Sequence, residues 1–483
     1  IVIRLWQDRG DYPMHIMATL NASGTGFVIG NLLGVLAGIV FVLSPAALKM
    51  FRGVNIAIFA LPPIAIAPIL SLTLSGMTPR VVLAALGCYF VTMTATVIGL
   101  SQTDSRTADL IRAYGGGKWC QLRMVQLRSA VPSILSGLRI AAPNAVLGAI
   151  LAEFGGGGRW GLGTYLLGSL GRAEPERLWG IGLIATLIAG LGYGVFAALS
   201  HRFAGASRAV TLNVAIPGQD GPDSNFPGKA FLLGAGAIIL PFLMWWGFIR
   251  LLDVPDLISK TPFGVIDYMF LSPAAHDAQE RLLAAMWETL PITFIGMAAG
   301  LSFAFLLAIS SRLFPEFLRA FMPVALVTQT MPLVALTPLL VLMLGRGTSL
   351  TLWVTISVTF FPAFVTLAQG MTLVPRATRE VTRAYGASAW QELRIVTIPA
   401  SMPYLFAAIR LTVPHAILGV MIAEWLATGK GLGNLLNQSR GYMDYGMIWT
   451  VAAMSVLLAV MFYQLVIVAE RHVLARMGMQ TAE

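Results

Sequence analysis

The chain has 483 residues, of which 57% are hydrophobic and 11% are charged. Soluble globular proteins carry charge on about a quarter of their residues, so this composition excludes an ordinary soluble domain and predicts a membrane protein surrounded by lipid. The net charge of +10 does not indicate a nucleic-acid partner, because Lys and Arg are concentrated in particular loops between apolar runs.

Apolar runs of roughly 20 residues, the length that crosses a hydrocarbon core as a helix, recur along the whole chain. Gly and Pro within these runs are typical of bilayer helices, and the runs lack the alternating polarity of barrel strands. We therefore predict an all-α polytopic membrane protein with about eleven helices. The predicted spans are 24–43, 55–76, 80–100, 133–155, 179–200, 231–251, 291–311, 321–344, 349–370, 403–425 and 447–469.

Two cation-rich loops, 106–128 and 376–394, carry the related octapeptides RAYGGGKW and RAYGASAW. Between 109–153 and 380–424, at a constant offset of 271, 16 of 45 positions are identical. The positive-inside bias puts both loops on the cytoplasmic side. The chain is therefore predicted to contain two parallel copies of one membrane unit.

The domain boundaries follow from this duplication. The first copy is predicted at 1–204 and the second at 231–483, joined by a cytoplasmic linker at 205–230 that is rich in Gly, Pro, Asp and Ser. Only the second copy has a span at 231–251. We expect either that the first copy lacks a first helix, which would make twelve in all, or a true asymmetry of five plus six helices.

Each octapeptide loop is predicted to fold as helix, turn, helix, with the turn at Gly115 or Gly386, because glycine adopts a positive φ at little cost. Trp119, Leu122 and Val125 form an apolar stripe at three-residue spacing, and the second loop repeats it. Such a surface lies on lipid headgroups or enters a groove on a partner protein. The fixed Ala-Tyr-Gly turn favours the partner.

The second loop, EVTRAYGASAWQELRIVTIPASMP at 380–403, resembles the EAA loop of the permeases of type I binding-protein-dependent ABC importers. The resemblance covers both halves of the chain. It is closest to the nitrate, sulfonate, taurine and thiamine-precursor branch, whose members also carry Ala-Glu followed by Gly-Leu-Gly. In that family the loop is the coupling helix that docks into an ATPase. The resemblance implies two ABC ATPase subunits and a periplasmic or lipid-anchored substrate-binding protein as partners.

The family motif transfers to both loops, with departures in the first. Asp109 replaces the family's Glu, and Arg128 stands where Pro is usual, so we expect the first loop to dock less typically. The residues that the resemblance implies for ATPase coupling are Asp109, Ala113, Tyr114, Gly115, Glu380, Ala384, Tyr385 and Gly386.

We predict no catalysis in this chain. It has no GxxxxGK[ST] phosphate loop, so no cofactor is expected here and ATP with magnesium is expected on the partner ATPase. The five histidines are scattered without paired spacing, so no metal site is expected. Cys88 and Cys120 imply no disulfide framework.

Pathway residues are predicted where the two copies share helix-breaking prolines. Pro62 and Pro68 match Pro332 and Pro338 at an offset of 270. Interrupted helices near the bilayer midplane often line transporter sites, which makes these prolines pore candidates; packing kinks are the alternative.

Two carboxylates, Glu153 and Glu424, recur at matched positions near the outer ends of spans. A carboxylate at that depth is costly unless it is paired or meets water. Each is therefore either a gate or pathway group, or a helix-end carboxylate bonded to the Gly-rich turn that follows it.

Three functions remain to be weighed. The first is a permease subunit of an ABC importer in the bacterial inner membrane, forming the path for a small solute that is an anion or a heterocycle. The second is an ion-coupled secondary transporter with parallel repeats, which the scarcity of intramembrane acids weakens. A membrane enzyme comes third, with no catalytic set to support it.

Overall fold

The structure, a computed structural model, describes residues 1–102, 105–156, 158–172, 174–204, 227–314, 316, 333–374 and 376–478. Every regular element within those ranges is a helix. Nine of the described helices are long and apolar enough to cross a membrane, and a tenth span is added if one sharply bent helix pair is counted. The predicted all-α polytopic fold class is confirmed.

The first copy begins with a short helix at the outer surface and continues through five spans. A π-type turn at 122–126 joins α7 to α8 without a break. The described helices are α1 (Val2–Gln7), α2 (Tyr12–Leu43), α3 (Pro45–Ala60), α4 (Pro63–Thr73), α5 (Thr78–Ser101), α6 (Ser105–Ala113), α7 (Lys118–Gln121), α8 (Leu127–Phe154), α9 (Leu162–Gly171) and α10 (Pro175–Ala204).

The second copy repeats this order after one additional span. π-type turns lie at 267–271, 393–397 and 424–428. Its described helices are α11 (Pro227–Leu251), α12 (Pro262–Ile266), α13 (Ala275–Leu313), α14 (Leu333–Leu344), α15 (Thr348–Thr372), α16 (Arg376–Ala384), α17 (Ala389–Glu392), α18 (Ile398–Ala400), α19 (Met402–Ala423), α20 (Gly431–Gly441) and α21 (Tyr445–Arg476).

Two predicted spans need comment. The span at 55–76 is wrong as a single helix, because the chain bends by 97° between α3 and α4. Pro62 and Pro63 explain the bend, since proline lacks the N–H that would continue the helix. Of the span at 321–344, only α14 is described. Most of the linker predicted at 205–230 also lies outside the described residues, and α11 begins at Pro227 within it.

Small residues bring the first core helices of each copy together. In α2, glycines recur every fourth residue at 26, 30, 34 and 38, and this face packs on α5. A Cβ atom at Gly30 would lie 2.4 Å from the backbone oxygen of Ala85. In the second copy, Gly296 and Gly300 of α13 leave room for the side chains of Thr355 and Thr359 of α15. Backbones thus approach closely, as van der Waals packing between bilayer helices requires.

The additional helix of the second copy packs on the first copy. α11 lies against α3, and a Cβ atom at Gly53 would lie 1.7 Å from the backbone oxygen of Ala237. The two halves therefore share a helix pair across the duplication boundary.

The proline-bearing helices α4 and α14 each contact the other copy, and the arrangement is reciprocal. α4 packs against α19, α20 and α21, whereas α14 packs against α8, α9 and α10. The helices that the proline pattern singled out therefore lie where the two copies meet.

Short ion pairs anchor the outer segment of the first copy. The Asp8 carboxylate accepts hydrogen bonds from Arg177 Nε at 2.7 Å and Nη2 at 2.9 Å. Arg4 of α1 lies 3.3 Å from the Glu174 carboxylate, next to the start of α10. These pairs hold α1 against the outer end of the last span of its copy.

The second copy has a corresponding acidic anchor. Asp444, at an offset of 270 from Glu174, precedes α21 and caps its first turn. Tyr268 Oη lies 3.0 Å from both Asp444 carboxylate oxygens, and Arg281 Nη1 lies 3.4 Å from one of them. In each copy, the outer segment is thus bonded to the residue that precedes the last spanning helix, α10 or α21.

We predict that Gly53→Val destabilises the protein. Overpacking a tight contact costs about 1–3 kcal/mol, and here the obstacle is backbone, which cannot rotate away. The midpoint of thermal unfolding in detergent should fall by several degrees. Gly190→Val is the matched control, because Gly190 is helical and an added Cβ meets nothing within 4 Å. Equal midpoints for the two variants would refute the close α3–α11 contact.

The Asp8–Arg177 pair predicts an acid-sensitive stability. The hydrogen bonds from Arg177 lower the pKa of Asp8 below its ordinary value of about 3.9. Because the folded pKa is the lower one, the pair contributes fully above the unfolded pKa and is lost as the pH falls through the folded pKa. Wild type should therefore lose thermal stability between about pH 5 and 3, whereas Asp8→Asn should start lower and change less. Parallel pH profiles would contradict this.

Candidate functional site: the cytoplasmic loops and the outer turns

Both octapeptide loops fold as helix, turn, helix. Gly115 and Gly386 adopt φ values of +77° and +78° at the ends of α6 and α16. Gly386 N–H donates to the Arg383 carbonyl oxygen, and the next N–H donates to the Thr382 carbonyl oxygen, which is a Schellman-type helix end; the first loop repeats it. The predicted turn positions are confirmed.

The residues predicted for ATPase coupling all lie on the exposed side of these loops. Tyr114 and Tyr385 project furthest, with 86% and 89% of their surfaces exposed. Trp119 and Trp390 are exposed beside them, whereas Leu122 and Leu393 of the predicted apolar stripes are buried beneath. Asp109, Ala113, Gly115, Glu380, Ala384 and Gly386 are exposed as well. Their coupling role stays a prediction.

The two loops differ in how firmly they are braced. In the second loop, Arg383 Nε donates to the buried Glu392 carboxylate at 2.7 Å, and Ser388 and Gln391 form a reciprocal capping box. In the first loop Gln121 replaces Glu392 and cannot form that ion pair. The second loop is therefore the more rigid of the two.

On the opposite side, a carboxylate holds the Gly-Leu-Gly turn of the second copy. Glu424 is only 4% exposed. It accepts hydrogen bonds from Thr289 Oγ1 at 2.8 Å and from Gly433 N–H at 2.9 Å. Thr289 Oγ1 in turn accepts from Leu432 N–H at 2.8 Å. We call this arrangement the carboxylate clasp; it joins the outer end of α19 to α13 and to the first turn of α20.

The first copy has the same clasp with two additions. Glu153 accepts from Thr19 Oγ1 at 2.8 Å and from Gly163 N–H at 2.7 Å. Arg80 lies 3.8 Å from the Glu153 carboxylate, and His15 Nδ1 lies 2.8 Å from the carbonyl oxygen of Gly161. The second copy has Leu350 and Ala285 at the positions of Arg80 and His15.

The clasps match the structural alternative given for Glu153 and Glu424, in which each carboxylate bonds the following turn. Sequence reasoning missed their threonine partners. Thr19 and Thr289 share the offset of 270 that relates the prolines, so the signal was present in the repeat. A gate or pathway role for the two carboxylates stays a prediction.

Each clasp fixes a short helix that contacts the proline-bearing helix, α4 or α14, of the other copy. α9 packs on α14, and α20 packs on α4. Pro68 is buried inside α4, and Pro62 lies at its start. Pro338 belongs to α14, and Pro332 lies outside the described residues. Each carboxylate is thus linked, through the short helix that it holds, to the proline-bearing helix of the other copy.

Arg440, which the repeat pattern did not single out, crosses that interface. From the last turn of α20, Arg440 Nη1 donates to the Phe154 carbonyl oxygen at 3.4 Å, where α8 ends. A guanidinium is stabilised there by the negative end of the helix dipole. Burial lowers the pKa of Arg440. Position 170 of the first copy, which corresponds to Arg440, is leucine.

A duplicated set of spans, with paired helix-turn-helix loops on one side and clasped turns on the other, defines a transport permease built from two halves. Residues 30–207 and 296–478 each match the family model of the binding-protein-dependent transport system inner membrane component. The chain belongs to this family. It is therefore a multi-pass permease of the bacterial inner membrane, and the resemblance found in the loops is confirmed. Permeases of this family are non-catalytic transport subunits.

Individual relatives are all permeases. The chain is 33% identical to the riboflavin transport system permease protein of Chloroflexus aurantiacus over 153 residues, 32% of this chain and 57% of that protein. It is 32% identical to the formylaminopyrimidine transport permease protein of Halalkalibacterium halodurans over 145 residues, 30% of this chain and 58% of that protein. It therefore spans little more than half the length of these two relatives.

A further match covers more of the relative. A probable ABC transporter permease protein of Haemophilus influenzae is 26% identical over 201 residues, 41% of this chain and 82% of that protein. Because such relatives serve ABC transport, an ion-coupled secondary transporter is not favoured.

The clasp predicts a steric cost at Gly431. This residue has φ +82°, and an added Cβ would lie 2.0 Å from Glu424 Oε1. Gly429, in the same turn, has φ +69° with nothing within 4 Å. Gly429→Ala should cost only the left-handed strain, about 1–2 kcal/mol. Gly431→Ala should cost that strain and, by displacing the carboxylate, about 1–3 kcal/mol more.

Thermal unfolding of the two variants in detergent measures the difference. In a Glu424→Ala background the side chain that obstructs residue 431 is gone, so the gap between Gly431→Ala and Gly429→Ala should shrink. An unchanged gap would argue against the clasp.

Proposed function

We propose that this chain forms the whole translocation path of a binding-protein-dependent ABC importer for a small solute. Two ABC ATPase subunits dock on the two octapeptide loops from the cytoplasm, and a periplasmic or lipid-anchored binding protein delivers solute to the outer side. ATP with magnesium is bound by the ATPases, and this chain holds no cofactor.

The observation that carries the proposal is the pair of exposed aromatic knobs. Tyr114 and Tyr385 are nearly free of contacts although both rings are large and apolar. Buried aromatic anchors supply much of the binding energy of protein interfaces, so a repeated pair of exposed rings on rigid turns supports docking of two equivalent partners. The glycines that follow, Gly115 and Gly386, adopt a positive φ and end each helix directly after the tyrosine.

The class of solute is proposed from the relatives. Riboflavin and formylaminopyrimidine, named for two relatives, are nitrogen heterocycles, and aliphatic sulfonates, named for a Bacillus subtilis relative, are anions. The proposed solute is a small nitrogen heterocycle or a small organic anion. The permease and the binding protein together determine which solute is transported.

Coupling works by moving two rigid halves. When the ATPases close on ATP, they draw the two loops together and rock the halves about their shared contacts. Arg440 and the reciprocal packing of α4 and α14 lie on the surfaces that this motion changes. ATP binding supplies the differential contact energy that shifts the path between its two states.

Charge substitution of the knobs tests this function. Tyr114→Asp and Tyr385→Asp each place a carboxylate where a ring would be buried by the ATPase, so we expect ATPase capture and ATP-driven solute uptake to fall at least about tenfold. Folding should be unaffected, because neither ring packs inside this chain. The measurements are vanadate-sensitive ATP hydrolysis that co-elutes with the chain, and uptake into proteoliposomes.

Tyr442→Asp is the matched control, since Tyr442 is 81% exposed but lies after α20 on the outer side. It should retain ATPase capture. If wild type captures no ATPase and uptake collapses when a proton or sodium gradient is dissipated, the importer proposal fails. Because the second loop is the better braced, Tyr385→Asp should have the larger effect.

A further inference from the structure

The segment at 262–271, formed by α12 and the π-type turn after it, lies across the outer ends of the second copy's spanning helices. Gln279 Nε2, in the first turns of α13, donates to the Met269 carbonyl oxygen at 2.6 Å. Tyr268 bonds Asp444, the residue before α21. At ten residues the segment is too short to span, because a span needs about twenty.

The two faces of this segment differ in polarity and in exposure. The inner face carries the Tyr268 hydroxyl and the buried Met269. The outer face carries Phe263, Ile266 and Phe270, at spacings of three and four residues, and these side chains are 75%, 52% and 68% exposed. Leu271 extends this apolar face, and the exposed Asp267 borders it.

Tryptophans mark the depth at which the segment lies. Trp449, in the first turns of α21, stacks on Trp245 near the outer end of α11, with ring centroids 5.7 Å apart. Trp449 Nε1 donates to the Ile258 carbonyl oxygen at 2.9 Å, four residues before the segment. Trp287 of α13 is exposed near the same end of its helix. Tryptophan concentrates at headgroup level in membrane proteins, so the exposed Trp287 indicates the outer interface, whereas the buried Trp449 ties the chain before the segment to α21.

The first copy also has a short anchored helix on the outer side, although at the offset of 270 α1 corresponds to 272–277 and not to 262–271. α1 is held by the Arg4–Glu174 pair at the outer end of α10, as Tyr268 is held by Asp444. Its outward side chains, Val2, Ile3 and Trp6, are also exposed and apolar. Each copy therefore has an outer segment with a polar anchor and an exposed apolar face, although the two segments occupy different positions of the repeat.

We propose that α1 and the 262–271 segment are in-plane membrane helices, and that lipid of the outer leaflet covers their apolar faces. Leu283 and Trp287 of α13, one and two turns beyond Gln279, which holds the segment, are also exposed and apolar. Lys260 lies just before the segment, and its Nζ lies 3.4 Å from the Asp256 carbonyl oxygen on the protein surface. An amphipathic helix that is polar on one face and aromatic on the other lies in the interface with its apolar face among the headgroups and upper acyl chains. This assignment does not depend on ATP-coupled transport.

Spin-label accessibility tests the proposal in the intact chain. A nitroxide is attached at Phe270→Cys or Ile3→Cys in a Cys120→Ser background, where the remaining Cys88 is buried. The protein is placed in nanodiscs of phosphatidylethanolamine and phosphatidylglycerol. Collision rates with oxygen, which concentrates in lipid, and with a water-soluble nickel chelate are compared.

Two reference sites calibrate the result. Leu306→Cys, exposed in the cytoplasmic half of the span formed by α13, reports lipid, and Glu280→Cys, at the outer end of the same helix, reports water. The labels at 270 and 3 should have oxygen-to-nickel ratios several-fold above that at 280 and below that at 306, because interfacial helices lie at the surface of the hydrocarbon core. The proposal is overturned if either label is as accessible to nickel as that at 280, or if it becomes protected only when a binding protein is added.

Discussion

The outer half of this permease depends on a buried carboxylate that accepts hydrogen bonds from a threonine and from a turn. An ionisable group at that position is costly unless its oxygens are bonded, and the clasps bond each of them to a donor from a different segment. In return, one side chain fixes the end of a spanning helix, the Gly-Leu-Gly turn and a short helix together. That short helix is the one that packs against the proline-bearing helix, α4 or α14, of the other copy. Without the clasp, the contact between copies would rest on a loose loop.

The two copies have kept this common frame while diverging around it. Arg80 and His15 brace the first clasp, and neither has a counterpart in the second copy. On the cytoplasmic side the second copy has the additional bracing residue, because Glu392 forms an ion pair only in the second loop. Arg410 of α19 is buried and ion-paired with Glu470 of α21, whereas its counterpart Arg139 lies over the ring of Tyr193. The frame is therefore symmetric in backbone and asymmetric in its polar interactions.

Much of the fold could be predicted because the membrane restricts the chain to helices and the duplication reports each feature twice. Gly115 and Gly386 indicated the turns of the two loops. Pro62 and Pro63 explain the break in the span predicted at 55–76, which bends so sharply that it forms two helices. The partners of Glu153 and Glu424 were harder to predict, because Thr19 and Thr289 lie more than 130 residues away along the chain. The packing of α11 against α3 of the other copy could not be predicted at all, because hydropathy indicates the length of a helix but not which helix it contacts.

Arg440 shows what covalent fusion makes possible. If two separate polypeptides of one kind assembled a permease, every residue would occur twice around the axis, and a cation bridging to the opposite half would form the same bridge a second time. In this chain the corresponding position is Leu170, so the bridge occurs once. Most small metabolites have no two-fold symmetry of their own. A single polypeptide that holds both halves can offer such a molecule a vestibule with two different sides, in a fixed stoichiometry that no mixing of subunits can scramble.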